Sequence, residues 1–229
     1  MKHTTTSDKK AQQTKRIILS LLFIGPLAFF IFLSTGEVNF KPCEVFSENV
    51  VEVGQYTQNK VVFKDRINIV NFLGKHPNSK ATQIFNLNEV VFEAIAKYQK
   101  FQMVSFYVGK DNPEIETIKS RLKNKGVTKL YKWKFVCLDS IQTKEIYQSL
   151  KIKTPLDHNF ASDDAFIVDK KIQQRGRTDD DKIGDDVFAY FMGSVDDLKN
   201  KLLPDTKNVF YEQEVATTSR KERLKKDEE

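Results

Sequence analysis

The side chains in this chain that could do chemistry are few. His76 and Lys80 lie in the stretch Gly74-Lys75-His76-Pro77-Asn78-Ser79-Lys80, and His158 lies in Leu156-Asp157-His158-Asn159. Two neutral imidazoles are ligands for Cu(II) or Zn(II), but a pair leaves the coordination incomplete, so the site would be weak. Lys80 works against a cation, because an ammonium stays charged at neutral pH unless it is buried and deprotonated. No cysteine stands in the turn, so thiol–disulfide exchange cannot take place on it. The two cysteines are Cys43 and Cys137, well separated along the chain. An oxidising compartment would let them pair. The blander reading for Cys137, inside an apolar run, is a free, buried thiol. A reductase working through Cys137 would have no second cysteine nearby in sequence. The acidic runs Asp163-Asp164, Asp179-Asp180-Asp181, Asp185-Asp186 and Asp196-Asp197 lack EF-hand spacing. A cation at Asp179 to Asp181 is conceivable, but solvated loops and helix starts account for such runs. There is no Ser-His-Asp set and no phosphate-binding glycine loop.

These groups have to be positioned by the elements around them. Ile67 to Leu73 is an apolar strand that runs straight into the His76 turn. Asn78 or Ser79 can cap a helix from Ser79 to Lys100, with Ile84, Leu87, Val91, Ile95 and Tyr98 on one stripe. Met103 to Val108 is a second strand. Asp111-Asn112-Pro113-Glu114 starts a helix that stops at Gly126. Tyr131 to Cys137 is a strand, Ser140 to Leu150 a short helix, and Thr154 to Asn159 a loop. Ala165 to Asp169 turns through Lys170-Lys171 into Ile172 to Gly176 as a hairpin. Ser194 to Leu198 resembles a capping box and opens a last helix that ends at Pro204. Val61 to Asp65 reads as a short strand entering the fold. The order is strand, helix, strand, helix, strand, helix, hairpin, helix. It predicts an α/β fold of thioredoxin-like type, a mixed sheet flanked by helices.

The formal net charge is +6. Lys2, Lys9, Lys10, Lys15 and Arg16 stand against Asp8 alone before the first apolar run, so most of the excess is a topology signal. No nucleic-acid motif accompanies it. Ile17 to Ser34 is uncharged, long enough for the short end of the spanning range, and interrupted only by Gly25-Pro26. The basic flank predicts a cytoplasmic N-terminus and an exported remainder. A cleaved signal peptide is the alternative, but no convincing cleavage site follows. Lys119, Arg121, Lys123, Lys125, Lys129, Lys132 and Lys134 form a basic sector that suits an acidic partner or a lipid surface, or is simply an exposed face.

The chain resembles the Sco/SenC proteins, membrane-anchored thioredoxin-fold factors for copper delivery to cytochrome oxidase. The likeness spans about residues 50–205. Besides the anchor, it rests on the turn after the first core strand, where that family has Cys-Pro-x-x-Cys-Pro. It rests also on Leu156-Asp157-His158, followed by the strand Phe166-Ile167-Val168-Asp169 and by Gln174-Arg175-Gly176-Arg177. Aligned on Pro77, His76 takes the place of the family's first cysteine and Lys80 that of the second, while His158 matches its histidine ligand. The resemblance implies a copper site whose two thiolates are here replaced by His and Lys.

The expected organisation is a cytoplasmic tail (1–16), an anchor (17–34), a connector (35–59), a thioredoxin-like domain (60–205) and a partly disordered extension (206–229). The expected protein is a non-catalytic subunit or assembly factor of a respiratory or other membrane complex. It would sit single-pass in the cytoplasmic membrane with its main domain periplasmic, and it would have no resident cofactor. The alternatives are a copper metallochaperone using His76 and His158, and a thiol reductase using Cys137.

Overall fold

The computed structural model describes residues 6–34, 42–178 and 186–213. The chain divides into two compact units, the first holding the N-terminal helix and the second holding the sheet.

Helix α1 spans Thr6–Ser34 and runs through Pro26. Its segment Thr14–Ile31, of mean hydropathy 1.8, is long and apolar enough to cross a membrane. Leu21 and Phe30 on it are largely exposed. The helix begins earlier than the expected polar tail allows. Lys, Ala and Gln between Asp8 and Gln13 are good helix formers, and no breaker separates them from the apolar run.

The second unit is built on a seven-stranded sheet. Its strands are β1 (Glu44–Ser47), β2 (Ile67–Gly74), β3 (Phe101–Val108), β4 (Trp133–Leu138), β5 (Ala161–Val168), β6 (Gln174–Gly176) and β7 (Tyr190–Phe191). The order is β1-β6-β5-β2-β3-β4, with β7 beside β5. Strands β2, β3 and β4 are parallel, while β5, β6 and β1 each run antiparallel to their neighbour. A short helix, α2 (Gly54–Thr57), precedes β2. Helices link the parallel strands: α3 (Ala81–Asn86) and α4 (Glu93–Ile95), joined by the π turn Leu87–Phe92, between β2 and β3, then α5 (Pro113–Asn124) between β3 and β4, while α6 (Ser140–Gln148) leads from β4 to the antiparallel β5. This is the thioredoxin-like arrangement, a mixed sheet covered by helices on both faces. Strand β2 is buried along its whole length, as a central strand covered on both faces must be. Ile69 and Leu73 pack with Ile84, Leu87, Ile118 and Leu202 on one face. Val70 and Phe72 pack with Phe106, Ile146 and Phe166 on the other.

Local chemistry follows the sequence at most boundaries. Asn112 caps α5 by accepting from Glu114 N at 3.0 Å, and Gly126 follows its end at φ +87°. Asp139 and Gln142 form a reciprocal capping box on α6. Ser194 accepts from Asp197 N at the start of α7 (Val195–Asp197).

Four expectations change. Val61 to Asp65 is not a strand, because the Glu52 carboxylate accepts from Phe63 N and Lys64 N at 2.7 and 2.9 Å and so takes the donors a ladder would need. The helix after the His76 turn ends at Ile95, not Lys100, and tightens to a 3₁₀ turn over Pro77–Lys80. The stretch read as a connector supplies edge strand β1, whose Glu44 and Val45 pair with Gly176 and Arg175. The last helix passes Pro204 and continues to residue 213. A π turn at Leu198–Leu202 precedes the proline, and the carbonyls of Asn200 and Lys201 accept from Arg177 Nη2 at 3.3 and 3.4 Å. A side chain from β6's end thus replaces the donor that proline lacks. Asp179 to Asp181 and the tail from residue 214 lie outside the described residues.

Candidate functional site

The turn after β2 is held from three sides. Gly74 sits at φ +67°, and a Cβ there would come within 2.3 Å of the Asn159 carbonyl oxygen. Only glycine permits both the conformation and the approach. Next to it, Lys75 N donates to Asn159 O at 2.8 Å, which joins the His76 turn to the His158 loop. From α5, Asn112 Nδ2 donates to Lys75 O at 3.0 Å, and Glu114 accepts from Asn78 N at 2.7 Å. From β5, Asp163 accepts from Lys80 Nζ at 2.6 Å and from Gln83 Nε2 at 3.2 Å.

The His158 loop has its own internal order. Asp157 accepts from Asn159 N and Ala161 N at 2.8 and 2.9 Å. Phe160 adopts φ +64°, and its ring lies under Lys75 and Lys144, with the ammoniums 5.0 and 5.4 Å from the centroid. The pairing of Leu73 with Ala161 across β2 and β5 sets the two loops side by side.

The sequence-derived residues therefore fall on adjoining loops, but each carries a local engagement. His76 is exposed, with Nδ1 3.8 Å from Glu114 Oε1. His158 Nε2 lies 2.9 Å from Asn159 Nδ2, an amide donor that a metal at that nitrogen would displace. Lys80 is mostly covered and its ammonium is neutralised by Asp163. Pro77 is buried and opens the 3₁₀ turn. Among the described residues, no three His, Cys, Asp or Glu side chains group so as to hold a metal ion. The donor set at the turn, two imidazoles and a paired ammonium, does not suit Cu(I), which selects soft thiolates. Gly74 was legible as part of the turn, but sequence reading missed the residues that hold it from outside: Asn112, Glu114, Asn159 and Asp163. Asn112 and Asp163 were visible only as a helix cap and an acidic pair.

Both cysteines are free. Cys43 is buried, with Sγ 3.6 Å from Asp205 O. Burial, together with Asp205 and Glu212, pushes its thiol up to about 12. Cys137, expected to be buried, is exposed. It stands on edge strand β4, paired in register with half-buried Tyr107, beyond the cover that reaches Trp133. Partial desolvation also raises the Cys137 thiol, the opposite of the shift that makes a reactive thiolate.

No protein-family model matches the chain, and no curated protein does. Solved structures with a similar path include three bacterial proteins. The apo Sco1 protein of Thermus thermophilus is 16% identical, with 76% of this chain and 94% of that one covered and a TM-score of 0.39. The thioredoxin domain of a thiol-disulfide oxidoreductase from Bacteroides vulgatus is 17% identical, with 71% and 91% covered and a TM-score of 0.37. A putative electron transfer protein from Aquifex aeolicus is 14% identical, with 74% and 98% covered and a TM-score of 0.44. At these levels the likenesses carry no functional argument, and the fold rests on the strand order and pairing above.

Proposed function

We propose that this chain is a membrane-anchored, Sco/SenC-like thioredoxin-fold protein that acts by binding a membrane protein complex rather than by thiol or metal chemistry. The observation that carries the reading is the Lys80–Asp163 pair. The resemblance puts a thiolate at position 80; here an ammonium occupies it and is bound to a neighbouring strand at 2.6 Å. The anchor is α1. Its basic flank precedes the span, which favours an N-terminus in the cytoplasm and the sheet unit in the periplasm. Assembly or stabilisation of a respiratory complex is the role this architecture suits.

The test is disulfide reduction. The full chain in neutral detergent should reduce insulin no faster than buffer with reductant alone. Cys137 is the accessible thiol, so turnover that vanishes in Cys137→Ser would replace this reading with a thiol reductase. A copper chaperone built on His76 and His158 is the second reading, favoured by the Lys75–Asn159 bond that joins their loops.

A further inference from the structure

The basic sector read in the sequence is not one surface. On and after α5, Lys119 pairs with Glu116 at 2.8 Å, and Lys125 pairs with Glu89. Lys132 and Lys134 stand instead around the start of β4. There the fold brings Lys60 and Arg66 beside them round a cleft of ≈ 370 Å³. This is the end of the parallel strands opposite His76, since Arg66 precedes β2 and His76 follows it. Tyr131, largely exposed, adds aromatic surface, and no carboxylate lines the cleft. Among the described residues, the side chains of Lys60, Arg66 and Lys134 make no ion pair.

The loops that carry these cations are fixed from beneath. Gln102, 3% exposed, donates to Val62 O at 2.6 Å and to Asn68 Oδ1 at 2.7 Å. Asn68, fully buried, donates to Phe63 O and Arg66 O at 3.0 and 2.9 Å. Two buried amides thus hold the segments bearing Lys60 and Arg66 against β2 and β3. Lys132 Nζ is fixed by donation to Tyr98 O at 2.5 Å. Burial, then Lys129 and Arg66, hold its ammonium below the usual lysine range. These cations repel one another without a counter-charge, at preorganised positions. A multiply charged tetrahedral anion removes that repulsion, and the arginine fork matches its oxygens.

We propose that this cleft binds a phosphate group through Lys60, Arg66, Lys132 and Lys134, carried either by a soluble phosphate ester or by an anionic lipid headgroup. The proposal is independent of the reading of the His76 turn.

The experiment titrates the full chain with pyrophosphate in neutral detergent, followed by calorimetry. Saturable one-to-one binding is expected. Arg66→Gln with Lys132→Gln should weaken it at least about tenfold, as loss of charged hydrogen bonds does. Lys60→Gln with Lys134→Gln, whose side chains hold no backbone contact among the described residues, gives the same readout should the first pair fail to fold. Lys119→Gln with Lys123→Gln is the control and should change little. Absence of binding, or an equal loss in the control pair, overturns the proposal. Repeating the titration in micelles doped with phosphatidylglycerol or with phosphatidylcholine separates the two sources. Competition from the anionic lipid alone assigns a headgroup, and equal affinity in both assigns a soluble ester.

Discussion

Arg175→Ala should cost the domain about 3–5 kcal/mol, the range for breaking a buried ion pair by removing one partner. Arg175 is 11% exposed at its side chain, and its partner Asp169 is fully buried. Nη1 donates to Asp169 at 2.9 Å, while Nη2 bonds the Cys43 carbonyl at 2.5 Å and the Glu212 carboxylate. One guanidinium therefore ties β6 to the hairpin turn, to the residue before β1 and to the last helix. Asp169 already accepts from Lys171 N and Gln173 N at 2.8 and 3.0 Å, so without Arg175 a buried charge remains with backbone donors but no cation. Urea unfolding should show a lower midpoint at unchanged slope. Adding Asp169→Asn should cost less than the sum of the two changes, because the residues share one interaction. A loss below about 1 kcal/mol would place Arg175 with surface pairs and undo this account of the closure.

That clamp shows where sequence reading stops. Arg175 was legible as part of Gln174-Arg175-Gly176-Arg177, but its partners come from positions 43, 169 and 212, which no local pattern connects. The strands Ile67–Gly74 and Phe101–Val108 were legible because apolar runs of that length bounded by turns have few alternatives. The strand expected at Val61 to Asp65 failed for a non-local reason, since Glu52 takes its backbone donors. The helix stop expected at Pro204 failed in the same way, through Arg177. Cys137 looked buried because its neighbours in sequence are apolar. Exposure depends on how far along the edge strand the covering helices reach, and sequence does not record that.

The second large effect is a gain. His76→Cys with Lys80→Cys should raise Cu(I) affinity at least about a hundredfold, or ~2.7 kcal/mol, since two thiolates would join His158 in a set that Cu(I) selects. The structure supports the attempt. The turn is pinned by Asn112, Glu114 and Asn159 through backbone atoms, none of which the double change removes. Releasing Lys80 leaves Asp163 without its ammonium, but that carboxylate is half exposed and water can solvate it. Adding His158→Ala should give back part of the gain. No gain in a folded double variant would mean that the two loops do not present these three positions to one ion.

The candidate site was legible in its location and not in its chemistry. The apolar strand, the glycine and the proline indicated a turn of this kind, and Leu156-Asp157-His158 indicated a second loop. That the two loops adjoin follows from the Leu73–Ala161 pairing. That Lys80 turns to Asp163 follows from β5 lying next to β2, a neighbour relation that sequence order does not give.

On the function we propose, the unaltered turn acts without metal or thiol chemistry. A Cu(I) titration of the full chain against a competing chelator, with His158→Ala in parallel, decides the matter. No stoichiometric Cu(I) binding is expected in either protein. Tight one-to-one binding by the unaltered chain, abolished by His158→Ala, would contradict it and assign the protein to copper transfer.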